Sequence, residues 1–408
     1  MNPNRREYLL EILTTLYPPP HRLRLRSAAS YPDHRPVASY RILPLPQRPQ
    51  LLVPALPARA TARILRYTVC PTSRLARLAR AVAITGLTLP GATRLALPGR
   101  IDICGPPEAD SFPRYLRHRL GRPVALAVHI GGPVRANRKP VVALLGDEGK
   151  PIGYAKLGVT PLTHQLINNE RDALRILGTA QLRHVTVPQI LHSGQWRGHN
   201  VLVQSALPVW RPRPLRSSAA IARAMVEVAT VHGHHTGPLT GSGYAEALLT
   251  RLSALPADPD VTQLTHLTRR LLAHGHRTVL TYGAWHGDWT PWNTHPLPDG
   301  VLVWDWERFS LGVPLGLDAF HLFLAVRVSA GADLAQTVRE CLARAPKLLA
   351  PFSVPPAAAR LTCLLYLVDI GIRHLTDRAL TGHSRHGEIS AWLLPVLRYA
   401  LNAEEEFV

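Results

Sequence analysis

The sequence predicts an α+β fold in two lobes, a strand-rich small lobe followed by a helical large one. Three observations carry this expectation. Between residues 113 and 207, short apolar runs of strand length alternate with turn residues and enclose one amphipathic helix. Beyond the proline-rich stretch Pro208–Pro214 the pattern changes to a succession of helical periods. Within that succession, Asp288, Asn293 and Asp305 crowd into a 23-residue window that breaks the helical run. The chain therefore divides into 1–112, an extra α/β region; 113–207, a small lobe; and 208–408, a helical lobe carrying the polar window.

Residues 1–18 read as a short helix stopped by Pro18-Pro19-Pro20. Strands follow around Ala38–Leu43 and Gln50–Pro54, then helices over Ala58–Val69 and Pro71–Ile84. In the second helix Leu75, Leu78 and Val82 share a face that should pack, while Arg74, Arg77 and Arg80 recur on the wet side. Residues 85–112, rich in Pro and Gly, form a connector, and Phe112–Leu120 a helix. Five strands build the small lobe: Val124–Ile130, Val141–Leu145, Pro151–Leu157, Val185–Leu191 and Asn200–Ser205. A helix at 161–178 is inserted after the third, with Thr160 as N-cap and Pro161 in its first turn. Helices are expected around 217–233, 243–255, 260–275, 316–330, 332–345, 355–378 and 388–402. Short strands at Thr278–Tyr282 and Val301–Trp304 interrupt them. No internal repeat is present.

A chain of 408 residues with 46% hydrophobic side chains can bury a sizeable core. No apolar run reaches the roughly 18 residues of a membrane span. The first residues, carrying Glu7 and Glu11 and no long apolar core, make a poor signal peptide. Cys70, Cys104, Cys341 and Cys363 are scattered without metal-type spacing, which fits a reducing, cytoplasmic setting. The net charge of +20 is concentrated in residues 1–120, which hold 19 Arg against 6 acids. Such a region could meet an anionic partner. No nucleic-acid motif accompanies the charge, so a solvated, arginine-drifted surface is the preferred reading and nucleic acid is not an expected partner.

Four signals bear on chemistry. Lys156 lies in the apolar strand Gly153-Tyr154-Ala155-Lys156-Leu157, and a lysine ammonium there can neutralise the α- and β-phosphates of a nucleotide. It is one of only four lysines, at 139, 150, 156 and 347, in a chain that otherwise uses arginine. Glu170 shares a helix face with Leu166, Ala173, Leu174 and Leu177, where a carboxylate is costly unless paired, and Lys156 is the available partner. His286-Gly287-Asp288 follows a strand, and Asn293 completes an Asp-x4-Asn spacing. Asp288 would orient an attacking hydroxyl and Asn293 would hold magnesium, with His286 bracing the loop. Asp305 ends the apolar run Val301–Trp304 and would bring a second carboxylate to the metal, whereas Glu307 reads as a surface residue.

In order and spacing these residues resemble the aminoglycoside phosphotransferase and choline kinase superfamily, small-molecule kinases with a protein-kinase-like fold. The matching segments are Gly153–Lys156, Asn169-Glu170, Val187–Leu191, His286–Asn293, Trp304–Glu307, and Gly312-Val313-Pro314 with Asp318. They span roughly residues 120–400. The resemblance implies ATP or GTP as donor, Mg2+, a hydroxyl-bearing acceptor, a structural role for Asp318, and a hinge at Gln204–Ala206 whose backbone meets the purine. The loop Gly131–Lys139, expected over the phosphates, lacks a G-x-G-x-x-G pattern, and Arg135, Asn137 and Arg138 are its candidate phosphate contacts. Antibiotic, sugar and amino-alcohol acceptors all fit, and a polycationic one would draw on Glu246, Asp369, Asp377, Glu388 and the Glu404–Glu406 tail. The alternative is a kinase-like binding or scaffold protein with weak turnover.

Overall fold

The computed structural model describes residues 3–25, 36–45, 48–68, 78, 81–82, 84–86, 99–130, 136–146, 149–214, 217–381 and 388–405. Most of the expected Pro71–Ile84 helix lies outside these residues, as do Cys70, Arg135 and Glu406. Leu78 and Val82, expected on a packed face, are each 64% exposed. The chain forms two compact units, one of Met1–Arg171 with Pro188–Arg211 and one of Asp172–Val187 with Pro212–Val408.

The first unit is built on a nine-stranded sheet. Its strands are β1 (Arg22–Leu25), β2 (Pro36–Leu45), β3 (Arg48–Pro54), β4 (Arg100–Cys104), β5 (Ala125–His129), β6 (Val141–Leu145), β7 (Pro151–Gly158), β9 (Ile190–Trp196) and β10 (His199–Ser205); β8 (Val185–Thr186) belongs to the second unit. The order is β1-β4-β2-β3-β5-β6-β7-β10-β9. The small lobe expected with five strands thus continues into the amino-terminal region, because β3 pairs with β5 at Leu51↔His129 and Leu52↔Val128. β4 falls inside the stretch read as a connector. The single strand expected at Val185–Leu191 is split. Pro188, which has no N–H to give a ladder, separates β8 from β9.

Residues paired across neighbouring strands point to the same face. One face, with Leu126, Val128, Val142, Leu144, Ala155 and Val201, packs under α1 (Pro3–Leu16) through Ile12, Leu13 and Leu16. The register His129↔Val141↔Lys156↔Leu202 defines the other face, and Ala127↔Ala143↔Tyr154↔Gln204 runs beside it. There α2 (Ala58–Thr68) sets Ala62, Ile64 and Leu65 against Ala127, Ala143 and Leu145. The unit also holds α3 (Phe112–Leu120) and the larger part of α4 (Pro161–Thr179).

The second unit is mainly helical, with α5 (Ser218–Ala229), α6 (Gly243–Ser253), α7 (Pro259–His274), α8 (Leu317–Ser329), α9 (Leu334–Ala343), α10 (Ala345–Leu349), α11 (Pro356–Thr381), α12 (Ile389–Trp392) and α13 (Leu394–Glu405). Ser242, Asp258 and Asp333 cap α6, α7 and α9 by accepting from backbone amides, as short polar side chains do at helix starts. Two three-stranded sheets hold the polar window. One is β11 (His235–Pro238), β12 (Val279–Trp285) and β15 (Ser310–Pro314); the other joins the hairpin β13 (Thr294–Leu297) and β14 (Gly300–Val303) to β8. β11, β13 and β15 were not expected from the sequence. A Cβ on Gly283 would sit 2.1 Å from the carbonyl oxygen of Ala229, so glycine is what lets β12 pass this close to the end of α5. Among the described residues no single helix is long and apolar enough to cross a membrane.

Candidate active site

In the first unit Lys156 and Glu170 form a buried ion pair. The α4 start is fixed as expected, with Thr163 N–H donating to Thr160 Oγ1 at 3.2 Å. From there Leu166, Ala173, Leu174 and Leu177 turn inward, and Glu170 is carried with them. Lys156 Nζ lies 2.7 Å from both Glu170 oxygens. Lys156 is 5% exposed and Glu170 0%, so neither charge is solvated and each depends on the other. Gln204 is buried on the face that carries Lys156, and its Oε1 has no hydrogen-bond partner. Ala206 N–H is engaged by Ile152 O at 3.2 Å. In the loop after β5, Arg138 lays its guanidinium 3.2 Å from the ring centre of Tyr8 and donates to Ile130 O, which ties it to α1. Asn137 follows the stretch that holds Arg135, outside the described residues.

The polar loop of the second unit is held from beneath. Asp318, at the start of α8, accepts from His286 N–H at 2.7 Å and Gly287 N–H at 3.1 Å. Burial pushes the Asp318 carboxyl above its ordinary range, against these bonds. Gly287 has φ +81°, and a Cβ there would meet Arg308 O at 2.3 Å. Arg373 of α11 donates to Gly287 O, and its guanidinium lies over the Trp285 ring at 4.5 Å. The His286 ring braces the loop as expected. Asp288 N–H donates to His286 Nδ1 at 3.0 Å, which leaves Nε2 as the protonated nitrogen facing Trp304 O at 3.1 Å.

Asp288 is the half-buried acid at the centre of this loop. Asn293 Nδ2 donates to its Oδ2 at 2.8 Å and to its backbone oxygen at 3.0 Å. His321 Nε2 stands 3.0 Å from its Oδ1. Burial acts to raise the Asp288 carboxyl, but the His321 bond and charge outweigh it and hold it below the ordinary value. Asn293 and Asp305 sit at one end of the β13–β14 hairpin, where Trp304 N–H donates to Asn293 O at 3.1 Å. Both acceptors of the Asn293 amide are oxygens, so its nitrogen faces Asp288 and its Oδ1 is turned elsewhere. Asp305 adopts the left-handed conformation, φ 70° and ψ 54°.

An amide oxygen and a carboxylate at one hairpin end suit a hard divalent cation such as magnesium, which takes one or two protein oxygens beside phosphate oxygens. Among the described residues no group of three or more His, Cys, Asp or Glu forms a site for a transition metal. Glu307, expected at the surface, is 3% exposed, because the turn after Asp305 carries it inward beside the fully buried Trp306. Sequence reasoning missed His321, Tyr366 and Arg373. His321 follows Asp318 by three residues, one helical turn, and that spacing is the signal that could have found it. Two of the acids considered for a cationic acceptor are held by arginines. Asp369 meets Arg251 at 2.7 Å and Arg373 at 2.9 Å, and Arg378 holds Glu388.

No family model matches the chain, and no curated protein does. Among solved structures, it is similar to a thermostable mutant of aminoglycoside phosphotransferase APH(4)-Ia at 12% identity and a TM-score of 0.47, over 72% of this chain and 99% of that one. It is similar to amicoumacin kinase hAmiN, solved with AMP-PNP, Ca2+ and Ami, at 14% identity and TM-score 0.42, over 69% and 88%. Choline kinase LicA from Streptococcus pneumoniae matches at 15% identity and TM-score 0.40, over 67% and 92%. By name the three are a phosphotransferase and two kinases.

Proposed function

We propose that the protein is an ATP-dependent phosphotransferase that moves a γ-phosphoryl group to a hydroxyl of a small molecule. The observation that carries this reading is Asp288, an acid fixed at both carboxylate oxygens beside the Asn293–Asp305 hairpin end. A magnesium nucleotide supplies the phosphoryl group and the charge neutralisation that phosphoryl transfer needs. Asn293 Oδ1 and the Asp305 carboxylate would hold the metal. Lys156, positioned by Glu170, would meet the α- and β-phosphates. Gln204 and the hinge through Ala206 would take the purine, and Asn137 and Arg135, the latter outside the described residues, would be the candidate phosphate contacts. Asp288 accepts a hydrogen bond from the acceptor hydroxyl, orients it, and takes its proton as transfer completes. Arginine partners on Asp369 and Glu388 favour a neutral sugar-like or alcohol acceptor over a polycation.

The test is phosphate transfer to a panel of hydroxyl acceptors, with Asp288→Asn as the blank. Transfer by the parent protein, absent in the variant while nucleotide binding persists, supports the assignment. Near-normal turnover by Asp288→Asn sinks it.

One observation favours a second reading, a kinase-like binding protein with weak turnover. α2 packs Ile64 and Leu65 onto Ala127 and Ala143, on the face that carries Lys156 and Gln204. A purine seated on that face competes with this helix. Thermal shift with ATP separates the readings, since magnesium-dependent stabilisation belongs to the enzyme and its absence to the binding protein.

A further inference from the structure

We infer that His321 is a positioning residue for Asp288, with its tautomer set by Tyr366. The inference rests on Asp288 as the acid that meets the acceptor.

His321 projects from α8 one turn beyond Asp318, so the helix that holds the loop backbone also reaches the loop carboxylate. Its two ring nitrogens have different partners. Nε2 is 3.0 Å from Asp288 Oδ1, and Nδ1 is 3.1 Å from the Tyr366 hydroxyl. Tyr366 is 1% exposed on α11, and burial keeps its phenol protonated far above the ordinary range. A phenol has one proton to give. Given to Nδ1, it makes that nitrogen an acceptor and leaves the ring hydrogen on Nε2. The chain of donors then runs one way, from the Tyr366 hydroxyl to His321 Nδ1, and from His321 Nε2–H to Asp288 Oδ1.

Two consequences follow. With hydrogen already on Nε2, His321 has no lone pair facing the loop and cannot act as the base, so the acceptor proton goes to Asp288. The carboxylate is also gripped from two elements, by Asn293 at Oδ2 and by His321 at Oδ1, which stops it turning about its own axis. Its remaining lone pairs stay aimed where an acceptor hydroxyl would sit, and misplacement of a reacting group by about 1 Å can cost roughly 100-fold in rate.

Ring-15N histidine spectra of the full chain, with His321→Gln to assign the signal, test the tautomer without turnover. The expected signal at neutral pH is the Nε2–H form, with its ring shifts moved in Asp288→Asn and its tautomer ratio changed in Tyr366→Phe. A dominant Nδ1–H form, or ring signals unmoved by Asp288→Asn, overturns the inference. In kinetics, His321→Ala should lower kcat about 10- to 100-fold and leave the nucleotide KM unchanged. His321→Gln, whose side-chain N–H can still donate to Asp288, should recover most of the loss. Equal losses in the two variants, or an unchanged kcat in His321→Ala, also overturn it. Should the parent protein transfer phosphate to no acceptor, the functional reading falls, and the spectra still decide the pairing.

Discussion

Glu170→Gln removes one charge of the Lys156–Glu170 pair and keeps its shape. The ammonium of Lys156 is then left facing a neutral amide at a position only 5% exposed. Breaking a buried ion pair by neutralising one partner costs about 3–5 kcal/mol, because the surviving charge keeps its desolvation penalty and loses its compensation. At about 1.4 kcal/mol per factor of ten, the local opening equilibrium rises by roughly two to three and a half orders of magnitude. Native-state hydrogen exchange reads this directly at the amides of β7 and β10, which are paired through Lys156↔Leu202. The double variant Lys156→Met/Glu170→Leu should regain most of the protection, since apolar replacement of a buried pair is often neutral or stabilising. That double variant separates fold from chemistry, because it should be stable and bind nucleotide poorly. Acceleration of exchange by less than about tenfold in Glu170→Gln would refute the reasoning, since a loss that small is what a solvated pair gives.

Three further outcomes are expected. Gly287→Ala forces a side chain onto a φ of +81° and into Arg308 O at 2.3 Å, so melting temperature should fall and phosphate transfer should drop with it. Asp369→Asn should cost about 3–5 kcal/mol at neutral pH by leaving Arg373 and Arg251 without their shared buried acid. The fully buried Asp369 has its folded pKa held below the ordinary value; burial raises it, and the two arginines more than offset that. Its stabilisation is therefore present above the unfolded value and lost as pH falls through the folded one, and acid unfolding followed by circular dichroism should be less steep in the variant. Asp305→Asn should leave melting temperature level or raised, because asparagine tolerates a φ of 70° better, while the magnesium-dependent thermal shift with ATP disappears.

The residues legible in the sequence are those whose geometry the local chain dictates. Asp288 and Asn293 are five residues apart in one loop, and the apolar run of β14 leads straight to Asp305. Glu170 was readable because the helical period puts it among Leu166, Ala173 and Leu174. His321 was marked only by its one-turn spacing from Asp318, and Arg373 by nothing local, since they reach Asp288 and Gly287 from 33 and 86 residues further along, through tertiary packing. The same holds for the sheet. β5, β6, β7 and β10 follow from apolar runs of strand length, while β1 and β4 are broken by Arg22 and Arg24 and by Arg100 and Asp102, and their pairing joins segments far apart in sequence. Pro188 was visible, and the lesson it carried was available: a proline in an apolar run argues against one continuous strand.

The loop around Asp288 also bears on the choice between enzyme and binding protein. Its polar atoms are answered within the second unit by Asp318 on the His286 and Gly287 amides, Arg373 on Gly287 O, and His321 and Asn293 on the carboxylate. Burying Asp318 and Arg373 for this purpose works against both groups, whose ionised forms are disfavoured by burial. A fold that needed only to bind a nucleotide has no use for a carboxylate fixed at both oxygens. A phosphotransferase does, because little covalent chemistry is left for the protein once the acceptor hydroxyl is oriented and its proton has a destination. The cost is borne around Asp288, where orienting an acceptor gains the most from a group already in place.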